Sequence, residues 1–480
     1  MSVAGGLGER LGRQPAVLAA RAGLATGQPA WIVGGALRDA LLGVERIADL
    51  DLVVADRSAA GAARTIAQTA RRPSFPLSEE FGAWRIVGEE WVCDVTPMQG
   101  GRIEDDLVLR DFTVNAMALP LFGGRLVDPA GGLADVEARK LRMVAPDAYE
   151  RDRLRPLRLV RFATELGFDI EPDTASATRE WAPRVSEAAG ERVFAELRRI
   201  VVAARAVEGI ELASELGVLG GVLPELEALH GIEQSHFHHL DVYDHTLEVL
   251  GALTEIDANL GQYFPDDAPE LRRVLEQPLA DELTRAQALR FAALLHDIGK
   301  AETRGFTAGG RVTFIGHDTH GADMVRKICN RLRTSERLRE FLAQITRHHL
   351  ALGFLVHERP LSRRTVYRYL KLCSPVEVEV TLLTCADRLA TRGKNADAAI
   401  EAHLDLAREL MTAALRWRAE GPPRAPLRGD ELADELGIEP GPDLGRLLAE
   451  LEEASYAGEV TTADQAVEYA RRLRENPASR

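Results

Sequence analysis

The stretch IADLDLVVA, residues 47–55, sets Asp49 and Asp51 two positions apart inside an otherwise apolar, β-prone run. On a strand, side chains at i and i+2 share a face and lie roughly 6.6 Å apart along the axis. The two carboxylates therefore point the same way, while Leu50 and Leu52 point into the packed side. Burying unpaired carboxylates costs roughly several kcal/mol, so something positive is expected to face them. A pair of divalent ions about 4 Å apart fits between carboxylates at this spacing. The competing reading of a bare Asp-x-Asp is an edge strand with two solvated acids, and the surrounding sequence decides between them.

Just upstream, WIVGGALRDALLG at 31–43 reads as a strand running into Gly34-Gly35 and then a helix closed by Gly43. Paired glycines at a strand-to-helix turn let the backbone approach phosphate, and the N–H groups at a helix start favour anions. Arg38 falls in the first turn of that helix. A second constellation, FAALLHDIGK at 291–300, puts a His-Asp pair at the end of an apolar helix, with VYDHTLEVL before it and TCADRLA after it. Imidazole and carboxylate together suit a divalent transition metal or Mg²⁺.

Residues 31–150 alternate short apolar runs (AWIVGG, DLDLVVA, WRIVGEEWVCDVTP, GRLVDPAGG) with helical patterns such as ALRDALLG and AGAARTIAQTARR. That is a mixed α/β unit of one domain's length. Beyond residue 150, runs such as RLVRFATELGF and ERVFAELRRIVVAARAVEGIELASELG repeat apolar residues at three and four positions, so the remainder is expected to be helical. The Pro- and Asp-rich segment 263–282 reads as an exposed insertion, and EGPPRAPLRGDE at 420–431 as a break before a helical tail.

The chain has 480 residues, with 59 Lys and Arg against 74 Asp and Glu, for a formal charge of -15. That excludes a uniformly basic nucleic-acid coat, though not a local basic groove. Cys93, Cys329, Cys373 and Cys385 are widely separated and show no paired metal spacing, which predicts a reduced cytoplasmic protein. The start, MSVAGGLGERLGRQPAV, has no unbroken apolar core, so no signal peptide is expected, and no apolar window is long enough to predict a membrane span.

Taken in order, VGGALRDALLGVERIADLDLVV, RDFTVNAMA at 110–118, DPAGGLADV at 128–136, RDRLRPLRLVRFATELGF at 151–168 and ERVFAELRRI at 191–200 resemble the signature of the class II nucleotidyltransferases, the family of tRNA CCA-adding enzymes and bacterial poly(A) polymerases. The resemblance implies an α/β nucleotidyltransferase head with a mixed sheet and helices, followed by an all-α neck, body and HD domain. It implies two-metal nucleotidyl transfer, in which the enzyme positions reactants and neutralises charge. Asp49 and Asp51 would then hold Mg²⁺, with Asp94 either a third carboxylate or a residue that orders the site. Gly34, Gly35 and Arg38 would take the incoming triphosphate, joined by Arg110, Arg158 and Arg161. Asp111 and Asn115 either cap a helix or serve the ribose and the order of the site.

Asp152 and Arg155 lie three apart, which places them on one face if the segment is helical. An Asp accepts from an exocyclic amine and an Arg donates to the neighbouring ring acceptor, a pattern that cytosine and adenine share and that uracil and guanine reverse. One such pair accepts CTP and ATP, and in the resembling family these positions read the base. Arg151 and Arg153 depart from the Glu and Pro usual there, and Pro156 removes a backbone donor early in the helix. Arg192, Arg198 and Arg199, with Arg205, supply a local basic surface expected to face the triphosphate and the tRNA acceptor end.

The HDIGK segment resembles the metal-dependent HD phosphohydrolase superfamily. The resemblance implies His245, His296, Asp297 and Asp387 as ligands of a divalent metal, with phosphatase or 2',3'-cyclic phosphodiesterase activity on damaged tRNA 3' ends. His317, His320, His348 and His349 either extend this site towards phosphate or a second metal or, the favoured reading, are surface or packing histidines. The tail PLRGDELADELGIEPGPDLGRLLAELEEA also looks like the C-terminal region of CCA enzymes carrying an HD domain.

The expected organisation is a head at 1–150, a neck at 151–225, an HD domain at 226–400 and a tail at 401–480. The expected activity is addition of CCA, or part of it, to the 3' end of tRNA from CTP and ATP. The alternatives are a poly(A) polymerase and an HD nucleotide hydrolase with an RNA-binding head.

Overall fold

The apolar runs between residues 30 and 97 fold into strands β1 (Ala30–Val33), β2 (Asp49–Val54), β3 (Ser74–Ser78), β4 (Ala83–Val87) and β5 (Val92–Pro97), and β6 (Ala118–Pro120) completes the sheet. The computed structural model describes residues 6–55, 59–78, 82–234, 240–392 and 396–475; the first five residues of the N-terminal stretch considered above lie outside them. The chain divides into two units, Met1–Val222 and Leu223–Arg480.

In the first unit the sheet order is β3-β4-β5-β2-β1-β6. Only β2 and β5 run parallel, and the other neighbours are antiparallel. Strand β2 is central, with Leu50, Leu52 and Val54 buried on one face and Asp49 and Asp51 exposed on the other, as the period of two requires. Asp51 stands in register with Val33 of β1 and with Asp94 of β5.

GRLVDPAGG does not form a strand. It contributes one bridge, Ala118 with Val127, and then turns, because Asp128 accepts hydrogen bonds from the backbone N–H groups of Gly132 at 2.7 Å and Leu133 at 2.9 Å. The rest of the unit is helical. Helix Arg155–Leu166 carries its proline at the first turn, where the missing donor has no intrahelical partner to lose, so Pro156 costs the helix nothing. Helices Gly190–Val202 and Ala206–Glu215 pack on it. Gly209 provides the clearance, since a Cβ there would lie 2.6 Å from Thr164 Oγ1.

In the second unit, helices Val242–Ala258, Arg285–Leu295, Glu336–His348 and Ala396–Glu420 surround helix Glu377–Ala390, which is buried along most of its length. Buried Glu379 is held by Arg285 and Arg418. Segment 263–282 is not an exposed insertion. It forms helix Ala268–Leu275 and a short strand, and Phe264, Leu271, Val274, Leu275 and Leu279 are buried, so the Pro and Asp residues mark turns between core-facing side chains. Beyond the break at 420–431, Leu432, Leu447, Leu451 and Ala466 share a separate apolar cluster. Among the described residues, no helix is long and apolar enough to cross a membrane.

Gly132 sits where a Cβ would come 2.2 Å from the Thr113 carbonyl oxygen. Gly132→Ala is expected to destabilise the first unit by about 1–3 kcal/mol, read as a lower denaturant midpoint at unchanged m; an unchanged midpoint would contradict this packing.

Candidate active sites

The first site forms where β1 ends. Gly34 has φ +72°, a conformation glycine adopts without strain, and a Cβ there would lie 2.6 Å from Asp51 Oδ2 and 3.4 Å from Arg110 Nη1. A bare stretch of backbone, a carboxylate and a guanidinium therefore meet at one point. Arg38, from helix Gly35–Leu41, folds back so that its Nη2 would be 3.3 Å from a Cβ on Gly35. Asp51 is open to solvent by surface area, but the protein crowding it weakens its solvation. That loss of solvation raises its pKa, Arg110 opposes the rise, and repulsion from Asp94 and Asp49 adds to it. Aligned carboxylates that repel one another form a donor set that fits a divalent cation. Asp94 is engaged by Arg85, which donates from Nε and Nη2 to its two oxygens at 2.8 Å each. That engagement favours the site-ordering reading of Asp94.

Behind this point runs a chain of buried charge. Arg38 donates to Asn115 Oδ1 at 2.7 Å, and Asn115 donates to Asp111 Oδ1 at 3.2 Å. Asp111 Oδ2 accepts from Arg158 Nε at 2.9 Å and Nη2 at 2.7 Å. Arg158 Nη1 donates to Glu196 at 3.0 Å, Glu196 also pairs with Arg161, and Arg161 reaches Glu165 at 2.8 Å. Arg38, Arg158 and Arg161 gather around the Phe162 ring, their guanidinium carbons 5.3, 5.5 and 3.9 Å from its centroid. Burial alone would raise the Asp111 pKa, but Arg158 and the Phe112 N–H drive it far below the usual carboxylate range. Asp111 and Asn115 thus connect head to neck and do not cap a helix; the short helix Thr113–Asn115 has Phe112 at its N-cap.

Asp152 and Arg155 do not share a helical face. Helix Ala148–Arg151 stops before Asp152, which is extended at φ -149°, ψ 112°, and a new helix begins at Arg155. Asp152 Oδ1 accepts from the Leu154 N–H at 3.1 Å, and Oδ2 accepts from Arg192 at 2.7 Å. Arg155 donates to the carbonyls of Leu109, Arg110 and Ala148 at 2.6, 2.9 and 3.1 Å. The departures Arg151 and Arg153 take local roles: Arg151 donates to the Val108 carbonyl at 2.9 Å, and Arg153 lies 4.5 Å over the Trp181 ring. Of the predicted RNA-facing arginines, Arg192 and Arg199 are exposed, Arg198 is half-buried, and Arg199 is clamped by Glu165. Arg85, Glu165 and Glu196 were not singled out from sequence. The signal was an Arg inside an apolar strand and acids interleaved with the neck arginines.

The second site lies in the other unit. His245 Nε2 is 3.0 Å from Asp387 Oδ1, and His296 Nε2 is 3.1 Å from Asp297 Oδ2. The other oxygen of Asp297 faces His317 Nε2 at 3.3 Å and His349 Nε2 at 3.7 Å. His245, His296 and Asp297 form one group of metal-ligand geometry and Asp297, His317 and His349 another, sharing Asp297, while the expected ligand Asp387 is in neither and pairs with His245. His317 and His349 are therefore part of the cluster, contrary to the surface-or-packing expectation, because helices His317–Arg331 and Glu336–His348 pack with these residues inward. His320 instead pairs with Glu302 at 2.6 Å, and His348 stays outside both groups.

Each of three imidazoles turns Nδ1 towards a backbone carbonyl: His296 to Ala293 at 2.8 Å, His317 to Phe314 at 2.7 Å and His349 to Thr346 at 2.6 Å. A carbonyl only accepts, so Nδ1 of each ring carries a proton and Nε2 is the atom left to face the Asp297 carboxylate and to serve a metal. Imidazole Nε2 atoms gathered around one carboxylate are a donor set that fits a divalent metal. Desolvation, reinforced by repulsion from His296, pushes the His349 pKa down to about 4, which keeps its lone pair available. Lys300 Nζ lies 2.6 Å from Asp297 Oδ2.

A sheet whose central strand presents paired carboxylates beside a Gly-Gly turn, with an arginine-rich helical neck, defines a nucleotidyltransferase. Residues 88–142 match the poly A polymerase head domain, 167–229 the family described as the probable RNA and SrmB-binding site of polymerase A, and 242–392 the HD domain. An A-adding tRNA nucleotidyltransferase of Deinococcus radiodurans is 38% identical over 455 residues, covering 93% of this chain and 96% of the relative. A CC-adding tRNA nucleotidyltransferase of Thermus thermophilus is 34% identical over 452 residues, covering 92% and 93%. Among solved structures, a CCA-adding enzyme in complex with ATP superposes with TM-score 0.63 at 19% identity over 96% of this chain and 94% of that one. The Thermotoga maritima CCA-adding enzyme with tRNA gives 0.60 at 18% over 98% of both. The chain belongs to the tRNA nucleotidyltransferase family.

The depressed pKa of Asp111 carries a pH signature. Its contribution is present above the unfolded value, near 3.8, and is lost as pH falls from there through the folded value. Asp111→Asn is expected to cost about 3–5 kcal/mol at pH 7 and to flatten the acid limb of the stability profile below about pH 4. Urea unfolding from pH 7 to pH 3 checks this, and an unaltered acid limb would contradict it.

Proposed function

We propose that the first unit adds CCA, or part of it, to the 3' end of tRNA, taking CTP and ATP without a nucleic-acid template. The observation that carries this reading is the meeting of the Gly34 backbone, the Asp51 carboxylate and the Arg110 guanidinium at the head of the buried charge chain. Asp49 and Asp51 hold Mg²⁺, which when bound neutralises charge on the reacting phosphates. The Gly34-Gly35 turn lets the triphosphate approach backbone, and Arg38 and Arg110 balance its charge. Arg158 and Arg161, fixed by Asp111 and Glu196, keep the neck in place beneath the nucleotide. Asp152 and Arg155 read the base, with Arg192 holding Asp152 until a base takes its place. Arg198 and Arg199 face the acceptor end of tRNA, and the reaction takes place in the cytoplasm.

Extension products resolved to single nucleotides test this on tRNA ending at the discriminator base, at C or at CC, and on oligo(A). Defined addition of up to three nucleotides to tRNA is expected, with a loss of at least about 10³-fold in Asp49→Ala and Asp51→Ala. Long A tails on oligo(A) would instead identify a poly(A) polymerase, and full activity in both variants would overturn the assignment of the aspartates.

The inward-facing histidines carry a second reading: the HD unit is a divalent-metal phosphohydrolase acting on phosphate monoesters or 2',3'-cyclic phosphates at RNA 3' ends. Its two ligand groups bridged by Asp297 suit two ions. Purified protein is expected to hold metal that His296→Ala and Asp297→Ala lose together with hydrolysis, as read by elemental analysis and phosphate release. Protein that is metal-loaded with several divalent ions and remains inert would retire it.

A further inference from the structure

Above the second site lies a cavity of about 410 Å³. The cluster residues Asp297, His317, His349 and Asp387 contribute part of its lining, and Thr384, Arg388, Thr391 and His403 contribute another part. The two threonine hydroxyls are already committed, Thr384 to the Thr381 carbonyl and Thr391 to the Asp387 carbonyl, both at 3.0 Å. Arg388 and His403 are not. Nε of Arg388 and Nε2 of His403 are buried and have no hydrogen-bond partner among the described residues.

His403 is 6% exposed, and its ring also hydrogen-bonds the Thr384 backbone. With Nε2 unpartnered, that bond belongs to Nδ1, and a carbonyl partner places the proton there. His403 therefore presents an acceptor to the cavity, while Arg388 presents a donor carrying full positive charge. Buried polar groups left unmatched in a cavity mark the position of a ligand's polar atoms. A guanidinium whose Nε lacks a partner calls for an anion, and a lone imidazole acceptor calls for a hydroxyl.

We infer that Arg388 and His403 bind the substrate of the HD site. Arg388 takes a non-bridging phosphoryl oxygen, and His403 Nε2 accepts a hydrogen bond from a hydroxyl beside the phosphate. The ligand class is a phosphomonoester on a vicinal diol, as in a ribonucleoside 3'-monophosphate. This rests on the reading of the second unit as a phosphohydrolase and assigns binding residues that its metal cluster does not include.

The test uses the full chain loaded with Mn²⁺, with metal content measured for every protein; the head is the same in each. Calorimetric titration with inorganic phosphate is expected to show affinity reduced about tenfold or more in Arg388→Gln, less in Arg388→Lys, and unchanged in His403→Phe. The wild type is expected to prefer adenosine 3'-monophosphate over its 2'-deoxy counterpart by about tenfold in kcat/KM, a preference that His403→Phe abolishes. Phosphate affinity within twofold of wild type in a metal-replete Arg388→Gln, loss of metal in that variant, or equal use of the two nucleotides by the wild type would each overturn the assignment. Wild-type protein that takes up no metal would fail the hydrolase reading and this assignment with it, whereas metal and hydrolysis retained without these effects would fail the assignment alone.

Discussion

The pairing of Asp111 with Arg158 is the constraint on which the N-terminal unit depends. Arg158 comes from the neck helix and Asp111 from the segment between Arg110 and the short helix Thr113–Asn115. Three arginines around one phenylalanine ring would repel one another if left alone, and Asp111, Glu196 and Glu165 convert that repulsion into a directional lattice. Buried ion pairs add little net stability, but they penalise misplacement heavily, because any shift leaves a charge without its partner. An enzyme that selects a base without a template has only its own side chains for a ruler. The same lattice that ends at Arg38, beside the Gly34-Gly35 turn, begins in the helices that carry Arg155 and Arg192.

The second unit solves a related problem with imidazole rings. Backbone carbonyls hold Nδ1 of His296, His317 and His349, so their Nε2 atoms converge on one carboxylate, an arrangement suited to a divalent cation. The donor set is built by helix packing, with ligands from helices Val242–Ala258 and His317–Arg331, from the end of helix Glu336–His348 and from the His-Asp pair that follows helix Arg285–Leu295.

Much of this was legible in the order of residues. The period of two in DLDLVV placed both aspartates on the open face of β2, and the Gly-Gly turn was read as the place where backbone would be laid bare. What could not be read was partnership at long range. Arg85 faces Asp94 through antiparallel register, and Asp111 finds Arg158 across 47 residues. The spacing of Asp152 and Arg155 suggested a shared helical face, but a helix break lies between them, and the three-residue rule holds only within one helix. Likewise, nothing local distinguishes His317 and His349 from His320 and His348. Helix packing turns the first two inward, and only three-dimensional neighbours reveal that.

If the buried charge chain holds the base-reading segment in place, loosening it at a distance must blur nucleotide choice. The direct measurement is single-turnover extension of tRNA by Glu196→Gln, which removes a charge from the chain and leaves Asp49, Asp51, Asp152 and Arg155 intact, with each of CTP, ATP, UTP and GTP. A folded variant is expected to lose at least about tenfold in efficiency with its preferred nucleotides, and its preference over UTP and GTP should shrink. Unchanged efficiency and unchanged discrimination in a folded Glu196→Gln would contradict the account.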